Sequence, residues 1–165
     1  MVADQEMTIR RLEESEKGFL REMTFLALFV PEGAEPFPRS ILDSPDILKY
    51  YDGWGREGDL ALVLENTSTG TLVGASWARC FTFQNKGYGF LDGQTPEVEI
   101  ALKGNVRGKG YGTLLINQLI EELRKMGFVH VSLSVDRRNP AIELYKRLGF
   151  IVVKTDSNPV MRLML

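Results

Sequence analysis

Arg107-Gly108-Lys109-Gly110-Tyr111-Gly112 sets three alternating glycines among two cations, directly before a stretch of helical periodicity. Residues of these types in this order can hold an anion. Glycines let the backbone approach a phosphate with no side chain between. The first N–H groups of a helix lack a partner within it, and the helix dipole favours negative charge there. The ligand expected of this loop therefore carries phosphate groups. Two familiar phosphate loops do not fit. A nucleoside-triphosphate loop needs four residues between its first glycine and a Gly-Lys-Ser/Thr end. Here three residues separate Gly104 from Gly108, and Lys109 is followed by Gly110. A dinucleotide fingerprint needs G-x-G-x-x-G. Its sixth position falls on Thr113 counted from Gly108, or on Leu115 counted from Gly110.

A second reactive group is Glu97 with Glu99. Strand alternation puts both on one face with Ala101, and Val98, Ile100 and Leu102 on the other. Two neighbouring carboxylates raise one another's pKa, which suits a general base. Ordinary strand-face charges are the other reading of the same pair. Cys80 is the single cysteine and His130 the single histidine. No intrachain disulfide or multi-cysteine zinc site can form, and no metal is implied. Cys80 closes an apolar run and reads as a buried small hydrophobe. His130 faces away from the apolar side of its strand and reads as a surface residue.

These residues need elements to position them. Met7 to Arg10 reads as a first strand, and Glu13 to Val30 as a helix that stops before Pro31. Residues 31–45 hold several prolines and form a loop. Ser44 can cap a short helix that begins with Pro45. Leu60 to Glu65 and Thr71 to Phe81 form a hairpin, followed by a polar loop over 82–96 and a strand from Glu97 to Lys103. Thr113 to Met126 is an amphipathic helix with Leu115, Leu119 and Leu123 on one face and Gly127 as its stop. Phe128 to Val135 alternates as a strand. Asn139-Pro140 opens a last helix through Leu148, ended by Gly149, and strands follow around Ile151 to Thr155 and Met161 to Leu165. The result is an α/β (α+β) domain over residues 1–165. Its mixed, mostly antiparallel central sheet carries a parallel β-α-β core around 97–135 and flanking helices.

Composition narrows the function. The 165 residues are 44% hydrophobic and 25% charged, as in globular domains. A net charge of −2 gives no basic field for nucleic acid, so attraction for an anion must be local. No apolar run is long enough to span a membrane, and the charged N-terminus lacks a signal core. A cytoplasmic protein with neither nucleic-acid nor membrane partner is expected.

The segment from Leu102 to Gly112 resembles the acyl-CoA loop of the GNAT superfamily of N-acetyltransferases, written Arg/Gln-x-x-Gly-x-Gly/Ala. Arg107, Gly110 and Gly112 match it. A second resemblance follows in order. Asn139 to Phe150 is similar to the family's Asn-x-x-Ala-x-x-Leu-Tyr-x-x-x-Gly-Phe segment: Ala141, Leu144, Tyr145, Gly149 and Phe150 fit its spacing, and Asn139 stands one residue closer to the alanine. The clear likeness covers about residues 60–165.

The resemblance implies an acyl-CoA-dependent N-acetyltransferase that moves the acetyl group of acetyl-CoA directly to a primary amine in a ternary complex. Coenzyme A would lay its pyrophosphate on Arg107, Gly108, Lys109, Gly110, Tyr111, Gly112 and Thr113. Its pantetheine arm would add beside Ile100, Ala101 and Leu102 where the strands splay, and a backbone N–H near Leu102 would polarise the carbonyl. Tyr145 would protonate the departing thiolate. Asn139 would hold the cofactor or the last helix. Glu97 or Glu99, acting directly or through water, would deprotonate the amine. Arg137 and Arg138 either contact the cofactor's 3′-phosphate or stay solvated. Tyr50, Tyr51, Trp54, Tyr88 and Phe90 either line an acceptor pocket or cover a core edge. A pocket of Glu97, Glu99 and Asp92 would favour a cationic acceptor, either a small molecule or a peptide amine. Family members often form homodimers, with no interface legible here. A catalytically silent acyl-CoA-binding module on the same fold is the alternative.

Overall fold

The computed structural model describes residues 6–165. The expectation about the chain's charged start falls mainly on residues 1–5, outside the described range. Seven strands form one sheet: β1 (Met7–Arg11), β2 (Leu60–Asn66), β3 (Thr71–Arg79), β4 (Glu97–Leu102), β5 (His130–Ser134), β6 (Ile151–Thr155) and β7 (Pro159–Met164). Their spatial order is β1-β2-β3-β4-β5-β7-β6. Every neighbouring pair is antiparallel except β4 and β5. The expected mixed, mostly antiparallel sheet is thus observed.

Helices cover both faces. α3 (Tyr111–Lys125) buries Leu115, Ile116, Leu119, Ile120 and Leu123 while Asn117, Gln118 and Glu121 face solvent. Its apolar stripe packs against Leu62, Leu64, Val98 and Val131. Each such side chain stabilises the fold by about 1.5–3 kcal/mol relative to exposure. On the opposite face, α1 (Gly18–Ala27) sets Leu20 and Met23 against Ala61, Val63, Trp77 and Ala101. A short α2 (Pro45–Leu48) and α4 (Ala141–Arg147) complete the helices.

Several details differ from the sequence reading. The single helix expected over Glu13 to Val30 divides into a 3-10 turn at Glu14–Glu16 and α1, which ends at Ala27. Leu28 is extended, with φ −68° and ψ 119°, and this turns the apolar residues before Pro31 out of helical register. Ser44 makes no side-chain cap, and its carbonyl instead accepts the N–H of Ile47 at 3.0 Å and of Leu48 at 2.8 Å. β3 stops at Arg79, whose side chain turns inward to an ion pair. β7 begins at Pro159 because Val135 N–H reaches the Pro159 carbonyl at 3.1 Å.

Candidate active site

β4 and β5 share a single register pair, Glu97 with Ser132. Beyond it the strands diverge. On the other side of β4 the ladder with β3 continues to Leu102, and Lys103 N–H still donates to Val73 O at 2.8 Å. N–H directions alternate along a strand, so the backbone groups of Ile100 and Leu102 face the gap toward β5. Arg107 Nε donates to the Leu102 carbonyl at 3.0 Å. The Leu102 N–H is left as the donor aimed into the gap.

A cleft of about 770 Å³ opens there, within the range of small-molecule sites. Ile100, Ala101 and Leu102 form its floor. Arg107, Gly108, Gly110, Gly112 and Thr113 form one wall, and Asn139, Ala141, Leu144 and Tyr145 another. The chain leaving α1 closes the remaining side with Leu28, Phe29 and Val30. Two members of the expected loop are not among the lining residues: Lys109 is exposed, and Tyr111 packs against the core under α3.

Local chain geometry leaves backbone N–H groups unpaired along this wall. Gly110 caps α3 with φ +86°, a left-handed conformation natural to glycine. The first bond of the helix runs from Leu114 N–H to the Gly110 carbonyl at 3.3 Å. The N–H groups of Tyr111, Gly112 and Thr113 precede it, so they have no acceptor a turn earlier. Asn139 belongs to α4 as much as to the cleft, because its Oδ1 accepts the Ala141 N–H at 3.0 Å. Arg138 is engaged by Asp136 at 2.8 Å, which answers its charge locally.

Tyr145 is half-buried, and its ring meets Phe150 edge-on at 5.9 Å. Burial, with the nearby Glu99 charge, holds its hydroxyl above the ordinary tyrosine value, so it is protonated at neutral pH. The hydroxyl makes no hydrogen bond among the described residues.

The two carboxylates share a face, as expected, yet their surroundings differ. Glu97 is sealed. Its Oε1 accepts from Gly89 N–H at 2.6 Å and from Tyr50 OH at 3.1 Å, and its Oε2 has no partner. Tyr50 OH in turn accepts the Tyr88 N–H at 2.7 Å. The loop over residues 82–96 lies so close that a Cβ at Gly87 would overlap the Glu97 carboxylate. Glu99 instead lines a cavity of about 50 Å³ with Thr24, Ala27, Leu28, Ile47, Tyr50 and Trp77. Leu28 also borders the large cleft, so the two spaces adjoin.

Enclosure disfavours the charge on both acids. Burial pushes Glu97 up to about 7 against the pull of Gly89 and Tyr50. Burial and then the Glu97 charge push Glu99 up to about 8. Interacting acids of this kind release protons in steps that belong to the pair.

Other expectations separate here. Asp92 does not join the two glutamates. It lines a different cleft of about 490 Å³ with Cys80 and His130, beyond the other end of β4. Cys80 is half-buried rather than buried, because β3 has already ended, and its thiol is pushed up to about 11 mainly by burial. Of the five aromatics, Tyr50 borders the Glu99 cavity, while Tyr51 OH is bound to the Leu42 carbonyl at 2.8 Å. Phe90 is buried in a core edge and Tyr88 stacks outside Tyr50.

Sequence reading missed what fixes Tyr50. Arg79 and Asp59 form an ion pair at 2.7 Å, each with 2% side-chain exposure. Arg79 also donates to the carbonyls of Lys49, Asp52 and Gly53, and its guanidinium lies 4.8 Å from the Trp54 ring centre. All five of its N–H donors are thereby used. The chain after α2 is clamped to β3, and Tyr50 with it. Only the apolar run around Arg79 hinted that this charge is buried.

The family model described as Acetyltransferase (GNAT) family matches residues 23–150. An uncharacterized N-acetyltransferase of Methanocaldococcus jannaschii is 51% identical over 53 residues, 32% of this chain and 24% of that protein. A mycothiol acetyltransferase of Propionibacterium freudenreichii is 31% identical over 98 residues, 58% of this chain and 29% of that protein. The chain therefore matches less than a third of the length of these relatives. A provisionally assigned acetyltransferase of Salmonella typhimurium, solved with its cofactor acetyl-CoA, superposes with a TM-score of 0.68 at 22% identity, over 97% of this chain and 94% of that one. With the splayed strands, the amide-lined turn and the family match over most of its length, the chain belongs to the GNAT acetyltransferase family.

Proposed function

We propose that this protein transfers the acetyl group of acetyl-CoA directly to a primary amine, with both substrates bound together. One observation carries the reading. A single cleft gathers the unpaired amides at the start of α3, the N–H groups of Ile100 and Leu102 that face the gap, and the Tyr145 hydroxyl, with Glu99 in the adjoining cavity. The bound acetyl-CoA of the Salmonella structure supports the choice of acyl donor.

In this reading the Arg107–Thr113 turn binds the pyrophosphate through backbone N–H groups, with Arg107 and Lys109 adding local positive charge. Ile100 and Leu102 hold the pantetheine amides as a neighbouring strand would. Leu102 N–H donates to the thioester oxygen, where negative charge grows as the amine attacks. Glu99 takes the proton of the acceptor's ammonium, which frees the nitrogen lone pair. Glu97 is sealed from the acceptor and acts on Glu99 through its charge. As the carbon–sulfur bond breaks, Tyr145 gives its proton to the thiolate, and the proton that the nitrogen sheds in becoming an amide restores the phenol. Asn139 holds α4, and so Tyr145, at the cleft. The residues call for no metal.

Calorimetry of acetyl-CoA binding to wild type and Gly110→Glu tests the site. The added carboxylate meets the amide turn, so binding seen in wild type is lost in the variant. A well-folded wild type that does not bind acetyl-CoA overturns the reading. Binding without transfer to any amine favours a silent acyl-CoA-binding module instead. With transfer established, Tyr145→Phe lowers kcat and leaves acetyl-CoA affinity in place.

A further inference from the structure

Trp77 is 1% exposed, and its indole Nε1–H has no hydrogen-bond partner. Buried donors are rarely left unpaired, because the omission costs about 1–3 kcal/mol. Trp77 stands directly across the β3–β4 ladder from Glu99, on the same face. Both line the 50 Å³ cavity beside the cleft.

The other polar groups on this wall are committed. Thr24 Oγ1 donates to the Leu20 carbonyl at 2.7 Å. Tyr50 OH donates to Glu97 and accepts from Tyr88 N–H. The indole N–H is the free donor on this wall, and the Glu99 carboxylate is its charged acceptor without a hydrogen bond among the described residues, with Ala27, Leu28 and Ile47 as apolar walls. An ammonium can satisfy Glu99 but not the indole, since it has no lone pair. A group that accepts from Trp77 and donates to Glu99 must carry both a lone pair and an O–H or N–H. The smallest such group is water, whose share of liquid volume is about 30 Å³.

We propose that Trp77 is a positioning residue for amine activation: its indole N–H anchors the water through which the acceptor's proton reaches Glu99. The catalytic part rests on the reading given under Proposed function. The proton balance is simple. The ammonium N–H bond breaks and its proton goes to the water oxygen. The water passes one of its own protons to Glu99, which becomes neutral, and the amine keeps the electron pair. Trp77 keeps its proton throughout and orients the water's lone pair. The ionisable groups facing Glu99 are Glu97 on its own strand, Tyr50 beyond α2 and Tyr145 on α4. Arg79 on β3 is already neutralised by Asp59, and α1 brings no charge to the cavity.

High-resolution crystal structures of wild type and Trp77→Phe test the water directly. The expected wild-type result is one ordered oxygen at about 2.7–3.2 Å from both Nε1 and a Glu99 oxygen, absent or displaced in Trp77→Phe. A dry wild-type cavity, or a direct indole–carboxylate bond, overturns the proposal. Steady-state kinetics with propylamine and acetyl-CoA test its role. Removing one hydrogen bond should lower kcat about tenfold, shift the pH profile of kcat/KM, and leave the KM for acetyl-CoA unchanged. An unchanged kcat and pH profile sinks the relay. Should Trp77→Phe fold poorly, Glu99→Ala removes the other anchor and should also displace the water. A protein that does not bind acetyl-CoA defeats the acetyltransferase reading while leaving the crystallographic result to decide whether the water is held.

Discussion

The two flanks of the cleft are built on opposite principles. The phosphate flank is open and made of backbone: glycines, unpaired amides and solvated cations. The carboxylate flank is closed and made of side chains: Glu97 sealed under Gly87 and Gly89, Glu99 at the edge of a small cavity, and Arg79 saturated by one acid and three carbonyls. Binding a phosphate needs access and direction, which a short local segment can supply. Shifting a carboxylate's proton affinity needs exclusion of water, which takes residues from distant parts of the chain. Even within the closed flank, two residues of spacing separate a sealed acid from one that borders a cavity beside the cleft.

The sharpest way to break this contrast is to neutralise each acid in turn. Glu99→Gln should lower kcat by about 10²–10⁴-fold, the usual worth of a general base. Glu97→Gln should keep most of the rate. It removes a like charge beside Glu99, so the rising limb of the kcat/KM profile, expected near pH 8, should move to lower pH. Equal losses in both variants would erase the distinction.

The same small substitution can then be placed on each flank. An added Cβ at Gly89 would stand 2.7 Å from the Leu133 carbonyl carbon and 2.9 Å from Ser134 N. Gly89→Ala should therefore cost about 3 kcal/mol or more in chemical denaturation. Gly110 has open space around its Cβ position but φ +86°, so Gly110→Ala should cost only about 1–2 kcal/mol. A larger loss at Gly110 would reverse the assignment of the rigid flank.

The smallest effect is on stability against pH. Both acids have folded pKa values raised above the ordinary 4.5. The folded state then binds more protons than the unfolded chain between these limits. Their contribution is complete below about pH 4.5 and is lost as pH rises through about 7 to 8. The thermal midpoint should fall across that window, and Glu99→Gln should flatten the slope.

What could be read from sequence follows the same division. The Arg107–Gly112 turn, the Asn139–Phe150 segment and the alternation of Glu97 with Glu99 are local patterns, and the fold class and cleft wall came from them. Nothing local told Glu97 from Glu99, because the seal comes from Tyr50 and from a loop with no periodicity. Trp77 read as one more apolar residue of β3. Its role depends on the residue across the ladder and on α1 above it. Asp92 was grouped with the glutamates on charge, and the end of β4 at which it sits separates them.

The single rung between β4 and β5 also has a mechanical meaning. It divides the sheet into a four-stranded plate and a three-stranded plate, hinged at Glu97 and Ser132 and otherwise held by the helices that straddle them. A molecule seated in the gap supplies the backbone partners that β5 does not. Under the proposed function, binding the acyl donor would splint two plates into one, and releasing the spent donor would restore the joint. The seam proposed to admit the ligand is thereby the place where the sheet has its fewest paired residues.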